Sequence, residues 1–296
     1  MASTTKSPFF SSANREKALW VGPAFIAALV LIIIPLGFLN YIMFFNWNLN
    51  QPWDSRTFVG VENFEGLFKD PLYWNSMYIT VVYVVCATVA EFFLGLIIVD
   101  FLNRQFRAKN IVMVILALPL VLPPVIVAVV WRFMFTPGYG LLPYVFEKVF
   151  GASPVFLSRE LALPSLLLTD IWEWTPLFIL FLYAGMQSLS KDVLEAAVID
   201  GAGKVTMYFK VLIPMLKYVI IVTVLIRALD LLRTFDLVLV LTKGGPGTAT
   251  EILNLFIWKV GFQWSPRMGY VAASGVILMN LSFLVISYLA GRIRRD

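Results

Sequence analysis

The sequence of 296 residues contains no histidine and a single cysteine. Without imidazole there is no Ser-His-Asp triad, no His-Glu-x-x-His zinc site and no side chain whose ordinary titration falls near neutral pH. Cys86 stands alone inside an apolar run, so neither an intrachain disulfide nor a cysteine-built metal site is available. Charge is also scarce. Asp, Glu, Lys and Arg make up 14% of the chain, against about 25% in a soluble globular domain. A phosphate loop is missing too. Gly201-Ala202-Gly203-Lys204 has a superficial likeness to one, but the Walker pattern needs Gly at 198 and Ser or Thr at 205, where the chain has Val198 and Val205.

What remains is apolar. Sixty per cent of residues are hydrophobic and the mean hydropathy is +0.84, a composition that water does not solvate as a globule and a bilayer does. A helix crosses the hydrocarbon core with about 20 mostly apolar residues. Six stretches qualify, at 18–45, 76–102, 111–135, 163–186, 218–242 and 268–293. Backbone groups in lipid must be satisfied internally, so the spans are read as helices. The first is too long for a signal-peptide core and no small-residue cleavage pattern follows it, so it is read as an uncleaved helix.

The net charge of +5 raises nucleic acid as a partner, but the placement of the basic residues explains the charge by topology. With the N-terminus cytoplasmic, the inner segments hold 13 Lys and Arg, among them Lys6, Arg104, Arg107, Lys109, Lys191 and Arg295, and the outer segments hold seven, among them Arg56, Lys148 and Arg267. Both termini are therefore expected inside. The expected organisation is a cytoplasmic tail at 1–17, a membrane domain at 18–293 with a cytoplasmic loop at 190–214, and a cytoplasmic end at 294–296. The outer loops, 46–75, 136–162 and 243–267, are rich in aromatics, Gly and Pro.

The inner loop at 190–214 carries the most specific pattern. Ser190 stands where it can cap a helix, Asp192 is near the positive end of that helix, and Lys191 and Glu195 are at i, i+4. Gly201 and Gly203 can turn the chain, and Pro214 marks the start of the fifth span. The spacing predicts a short helix, a turn and a second helix returning to the membrane. An ordinary amphipathic helix on the membrane surface is the plain alternative.

Glu195-Ala196-Ala197, three residues, Gly201, nine residues, then Val211-x-Ile213-Pro214 resembles the EAA loop of ABC importer permeases. Val211 and Ile213 are aliphatic substitutes where Ile and Leu are more usual. The segment from Phe235-Asp236-Leu237 through Thr242-Lys243-Gly244-Gly245-Pro246 to Thr250-Glu251 resembles the fifth-span region of carbohydrate permeases of the maltose/glycerol-phosphate type, in the first of their two paired subunits. Leu118-Pro119, Pro123-Pro124 and Trp172 through Pro176 resemble that family as well, so the likeness runs from the first span to the last.

The resemblance implies an all-α integral membrane protein of six transmembrane helices with both termini cytoplasmic, of the ABC type I importer permease architecture, in a bacterial inner membrane. It implies a subunit that moves a sugar, oligosaccharide, polyol or related solute inward and is not itself an enzyme. Glu195, Ala196, Ala197, Asp200, Gly201 and Pro214 would form the docking element for an ATPase, with Glu195 facing a basic residue of that subunit. The implied partners are a second homologous permease, two copies of a nucleotide-binding ATPase, an extracytoplasmic solute-binding protein and the lipid bilayer. No cofactor is implied on this chain, because ATP and magnesium would sit on the ATPase.

Ionisable groups within a span are costly and are functional candidates. Arg227, Asp230, Arg233 and Asp236 recur every three residues with alternating sign, so neighbours can pair along one face. That face either lines a solute path or packs as a charge ladder against another helix. Glu173 and Trp172 in the fourth span suit a sugar, since a ring offers an apolar face and its hydroxyls seek acceptors; interfacial anchoring is the alternative. Asn280 is polar at mid-span and either lines the path or bridges helices. The candidate solute path is Arg227, Asp230, Asn280, Glu173 and Trp172. Pro119, Pro123 and Pro124 are expected to bend the third span. Two other readings compete. A secondary transporter would use Glu91, Asp170 or Asp230 as its ion site, but it has no need of a docking helix, and no internal repeat is visible. A membrane enzyme lacks both histidine and a metal motif.

Overall fold

The computed structural model describes residues 12–104, 106–264 and 266–294. Residues 1–11 of the expected N-terminal tail and 295–296 of the expected C-terminal end, with Lys6 and Arg295, lie outside the described residues. In chain order the helices are α1 (Ser12–Ile42), α2 (Glu62–Lys69), α3 (Pro71–Asn103), α4 (Lys109–Ala117), α5 (Pro124–Phe135), α6 (Leu141–Phe150), α7 (Ala162–Gln187), α8 (Lys191–Ile199), α9 (Lys204–Thr206), α10 (Ile213–Met215), α11 (Lys217–Arg233), α12 (Asp236–Leu241), α13 (Leu253–Trp258) and α14 (Met268–Arg294). The first helix starts at Ser12, ahead of the expected start of the first span at Ala18. Among the described residues the fold is helical apart from a small hairpin in the first outer loop, β1 (Phe45–Asn46) against β2 (Thr57–Phe58), and a single bridge between Asn48 and Arg267.

Among the described residues four helical segments are long and apolar enough to cross a membrane: Leu19–Ile42, Pro71–Asn103, Ala162–Gln187 and Met268–Arg292. The third and fifth spans expected from sequence are not straight rods. Lys109–Val121 and Pro124–Phe135 meet at 98°. Pro119, Pro123 and Pro124 supply no N–H there, and Leu122 before Pro123 is forced into extended backbone (ψ 137). The expected bend is thus a right-angled break.

The chain bends sharply just before the expected start of the fifth span at Tyr218 and breaks once within that span. Met207–Met215 and Lys217–Arg233 meet at 73°, two residues beyond Pro214. At the other end α11 stops at Arg233, Thr234 and Phe235 leave the helical region, and α12 carries the remainder to Leu241. No Gly or Pro marks this second break. The Asn254 amide holds it from outside the helix, donating to the Leu232 carbonyl at 3.0 Å and the Thr234 carbonyl at 3.3 Å.

α3 and α7 form the spine. Asp70 caps α3, accepting from the Leu72 N–H at 2.8 Å, with Pro71 in the first turn. A Cβ added to Gly95 would stand 2.7 Å from Phe178 Cβ, so these two backbones approach as closely as only glycine permits. One apolar cluster (Tyr83, Val127, Phe135, Leu166, Val238, Leu255) lies toward the outer end of the spine, and a second (Leu96, Leu102, Phe178, Leu182, Leu216) toward the end nearest the 190–214 loop. In contrast, the most apolar window of α1 is unburied, while toward its C-terminal end Leu39 faces Gly275 of α14 and Ile42 is buried.

Candidate functional site

Between the two apolar clusters the spine buries a group of charges. Arg227 from α11 is fully buried, and its guanidinium reaches three helices. It forms a two-pronged bond to Glu91 of α3, Nε to Oε2 at 2.8 Å and Nη2 to Oε1 at 2.8 Å. Nη2 also donates to Asp170 of α7, and Nη1 to Asp230 of its own helix at 2.7 Å. The Trp174 ring lies 4.7 Å from its Cζ. A planar fork with five donors is the side chain suited to three carboxylates at once. Glu91 and Asp170 are as buried as the arginine, whereas the Asp230 side chain is 44% exposed.

Asp170, Glu173 and Trp174 follow one another at i, i+3 and i+4 and so share a face of α7. Glu173 is 1% exposed, and its Oε2 has no hydrogen-bond partner. This face opens on a cavity of about 150 Å³ lined by Pro124, Asp170, Glu173, Trp174, Asp230, Arg233 and Asp236 among others. The cavity lies where the breaks in both interrupted spans come together: Pro124 starts α5, and Asp236 starts α12.

Of the sequence-derived path residues, Arg227, Asp230 and Glu173 meet in this region. Trp172 does not. It points the other way, 42% exposed, edge-on to Trp131 and lining an apolar cavity of about 580 Å³ with Pro119, Leu122 and Pro176. Asn280 is exposed on α14 and donates to the Val276 carbonyl of its own helix at 2.8 Å, so it bridges no helices. The alternating ladder is only partly formed. Arg227 pairs with Asp230, but among the described residues no ion pair joins Arg233 to Asp236, because the chain leaves the helix between them. Glu91, Asp170 and Trp174 are the members that the sequence path omitted. A lone mid-span Glu91 needed a buried cation, and the spacing 170, 173, 174 pointed to one face. The three carboxylates that a secondary transporter would use are all engaged by Arg227.

The 190–214 loop forms a second locus. α8 begins after Ser190, but the Ser190 side chain makes no capping bond, and its extended backbone alone sets the start. The Lys191 side chain lies outside the described residues. The end of α8 is fully closed: the Gly201 N–H donates to the Val198 carbonyl at 3.0 Å and the Ala202 N–H to the Ala197 carbonyl at 3.0 Å. This is a Schellman cap, and it needs the left-handed backbone that Gly201 adopts at φ +79. A Cβ there would meet nothing within 4 Å, so backbone conformation, not space, requires the glycine. Glu195, Ala196, Asp200, Gly201 and Pro214 are exposed, and Ala197 is half-buried. Val198 (64% exposed), Ile199 (85%) and Val205 (73%) face outward, while Leu194, Met207 and Leu212 pack on the inner apolar cluster. Beyond α9 the chain runs through a π-helical turn, Met207–Leu212, in which the Tyr208 hydroxyl donates to Asp100 at the end of α3.

The third motif, around 242–254, builds a fixed outer loop. Lys243, Gly244 and Gly247 take positive φ. Thr250 Oγ1 lies 2.7 Å from Thr242 Oγ1 and 3.0 Å from the Gly245 carbonyl. Glu251 is buried and held by Lys259, and the Leu253 N–H donates to Thr80 of α3 at 2.8 Å.

The likeness to known proteins covers this whole arrangement. The family described as "Binding-protein-dependent transport system inner membrane component" matches residues 73–295. The trehalose/maltose transport system permease protein MalF of Thermococcus litoralis is 31% identical over 280 residues, 94% of this chain and 94% of that protein. The sulfoquinovosyl glycerol transport system permease protein SmoG of Agrobacterium fabrum is 30% identical over 268 residues, 90% of this chain and 86% of that one. The sn-glycerol-3-phosphate permease UgpA of Escherichia coli O6:K15:H31 is 29% identical over 286 residues, 93% of this chain and 94% of that one. In structure, a chain of a bacterial ABC transporter that imports the acidic polysaccharide alginate superposes with a TM-score of 0.81 at 20% identity, covering 98% of this chain and 99% of the other. The same transporter in complex with its periplasmic protein gives 0.82 at 19% identity, covering 98% of each chain. The chain therefore belongs to the inner membrane components of binding-protein-dependent transport systems, as a multi-pass permease subunit of an ABC importer and not its catalytic subunit.

Proposed function

We propose that this permease carries a sugar, oligosaccharide, polyol or related solute inward, paired with a second homologous permease, and that it is driven by two ATPase copies docked on the 190–214 loop. An extracytoplasmic binding protein would deliver the solute, as a periplasmic protein does in the alginate complex. The solute class follows the relatives, whose names give trehalose/maltose, sulfoquinovosyl glycerol and glycerol phosphate.

The observation that carries the coupling reading is α8 itself. A nine-residue helix, closed by its own cap, displays Val198 and Ile199 beside Glu195 instead of burying them. Apolar side chains at that exposure on the face expected to be cytoplasmic suit a protein cleft, with Glu195 available to a basic partner residue. Leu194, Met207 and the Tyr208–Asp100 bond connect the helix to the inner ends of α3 and α7. Closure of the ATPases would thus move the spine, and with it the cavity between α7, α11 and α12. Arg227 with Glu91 and Asp170 acts as the clamp of that spine, and Glu173, Asp230 and Trp174 are the groups offered to solute.

The test combines co-purification with uptake. The tagged chain, extracted gently from its own host, is expected to bring a second six-span permease and an ATPase with it. Glu195→Lys, or Gly201 replaced by a bulky residue, is expected to abolish uptake while the chain still inserts. Asp230→Ala is expected to impair uptake without loss of assembly. Normal uptake by the loop variants would end the coupling reading.

A further inference from the structure

We infer that the cavity between α7, α11 and α12 selects uncharged, hydroxyl-rich solutes and rejects anionic ones. The inference rests on the reading above that this cavity lies on the solute path. Four carboxylates line the cavity, those of Asp170, Glu173, Asp230 and Asp236, against one arginine at its exposed edge, Arg233. The second arginine, Arg227, divides its single charge among Glu91 and two of these four, Asp170 and Asp230, so that with Glu91 included five carboxyl groups stand against two guanidiniums. An entering phosphate or carboxylate therefore meets more carboxyl groups than guanidiniums, two of them, Asp170 and Glu173, buried.

An excess of carboxylates alone names no ligand. The second observation is Glu173, which is buried at 1% exposure, lines the cavity and has one oxygen, Oε2, with no hydrogen-bond partner. A buried acceptor without a donor is costly unless a ligand supplies one. A hydroxyl does so without bringing charge. Among the described residues no group of three or more carboxylates is placed to hold a metal ion, the three that converge at Arg227 being taken by its guanidinium. Trp174, at the wall next to Glu173, offers the apolar face against which a pyranose or polyol carbon chain can lie. The volume, about 150 Å³, equals that of about five waters and suits one sugar unit rather than an oligosaccharide. This sets the chain apart from relatives named for glycerol phosphate and sulfoquinovosyl glycerol.

The test is equilibrium binding to the purified permease–ATPase complex without binding protein, so that the cavity's own preference is read. Three matched pairs serve as probes: glucose and glucuronate, sorbitol and sorbitol 6-phosphate, glycerol and glycerol 3-phosphate. In at least one pair the uncharged member is expected to bind saturably and roughly tenfold or more tighter than the anion. Glu173→Gln is expected to weaken that binding roughly tenfold, the loss of one buried acceptor oxygen, and to narrow the discrimination within the pair. Asp236→Asn, at the exposed edge, is expected to narrow it as well, and it keeps the test available if Glu173→Gln does not assemble. An anion that binds as tightly as its uncharged partner overturns the inference, as does saturable binding by neither member of any pair, or discrimination unmoved in both variants. Those failures are separate from failure of the transport reading, which is decided by the co-purification and loop variants.

Discussion

Replacing Arg227 by methionine is the sharpest perturbation the fold offers. Methionine keeps much of the length and all of the apolar character but removes the cation that joins Glu91, Asp170 and Asp230. Asp230 is 44% exposed, and losing a partner there costs about 0–1 kcal/mol, because water replaces it. Glu91 and Asp170 have almost no exposure, and leaving them unpaired costs about 3–5 kcal/mol. For a chain of this length roughly 2 °C of midpoint accompanies each kcal/mol. Thermal melting in mild detergent, followed by fluorescence-detected gel filtration, should therefore fall by about 6–10 °C in Arg227→Met. The arithmetic is asymmetric. One cation serves three anions, so Glu91→Gln removes a single acceptor and leaves Arg227 two carboxylates. It should cost less than half as much as Arg227→Met. The clamp is refuted if Arg227→Met melts within about 2 °C of the parent, or if Glu91→Gln proves the more damaging of the two.

Three further outcomes are expected. Gly95→Leu should force α3 from α7, since even a Cβ would stand 2.7 Å from Phe178 Cβ; the cost of about 1–3 kcal/mol should appear as a lower melting midpoint with fewer correctly assembled complexes. Thr80→Val keeps the shape but removes the acceptor of the buried Leu253 N–H, held at 2.8 Å; a penalty of about 1–3 kcal/mol should register as faster amide exchange at Leu253 and the neighbouring outer loop. Tyr208→Phe deletes the hydroxyl that ties the 190–214 loop to Asp100, which retains Arg104 at 3.5 Å. Its melting midpoint should move by less than about 2 °C, whereas ATPase stimulation by the solute-loaded binding protein should drop, and full stimulation would show that the tie transmits nothing.

Particular residues explain what was legible in the chain. The four straight spans announced themselves because each is a continuous apolar run, and hydropathy depends on composition alone. The break at Leu122 was signalled by Pro119, Pro123 and Pro124, since proline's missing donor is a local property. The break at Thr234 was silent: Leu232, Arg233, Thr234 and Phe235 are tolerable in a helix, and the interruption is held by Asn254, a residue 20 positions away. Trp172 and Trp174 differ by two positions, and composition cannot rank them. Only the rotation of α7 against α3 and α11 decides that Trp174 meets Arg227 while Trp172 faces outward.

The sequence by itself determined the membrane as solvent, the helical class, the lack of any histidine and the loop motif at 195–214. Each of these rests on composition or on residues close together along the chain. The tertiary structure decided which intramembrane charges belong to one another. Glu91, Asp170 and Arg227 lie 57 and 136 residues apart in the chain, and a buried charge takes its meaning from the partner that compensates it. That partner is chosen by how helices pack, a long-range outcome that no local pattern encodes.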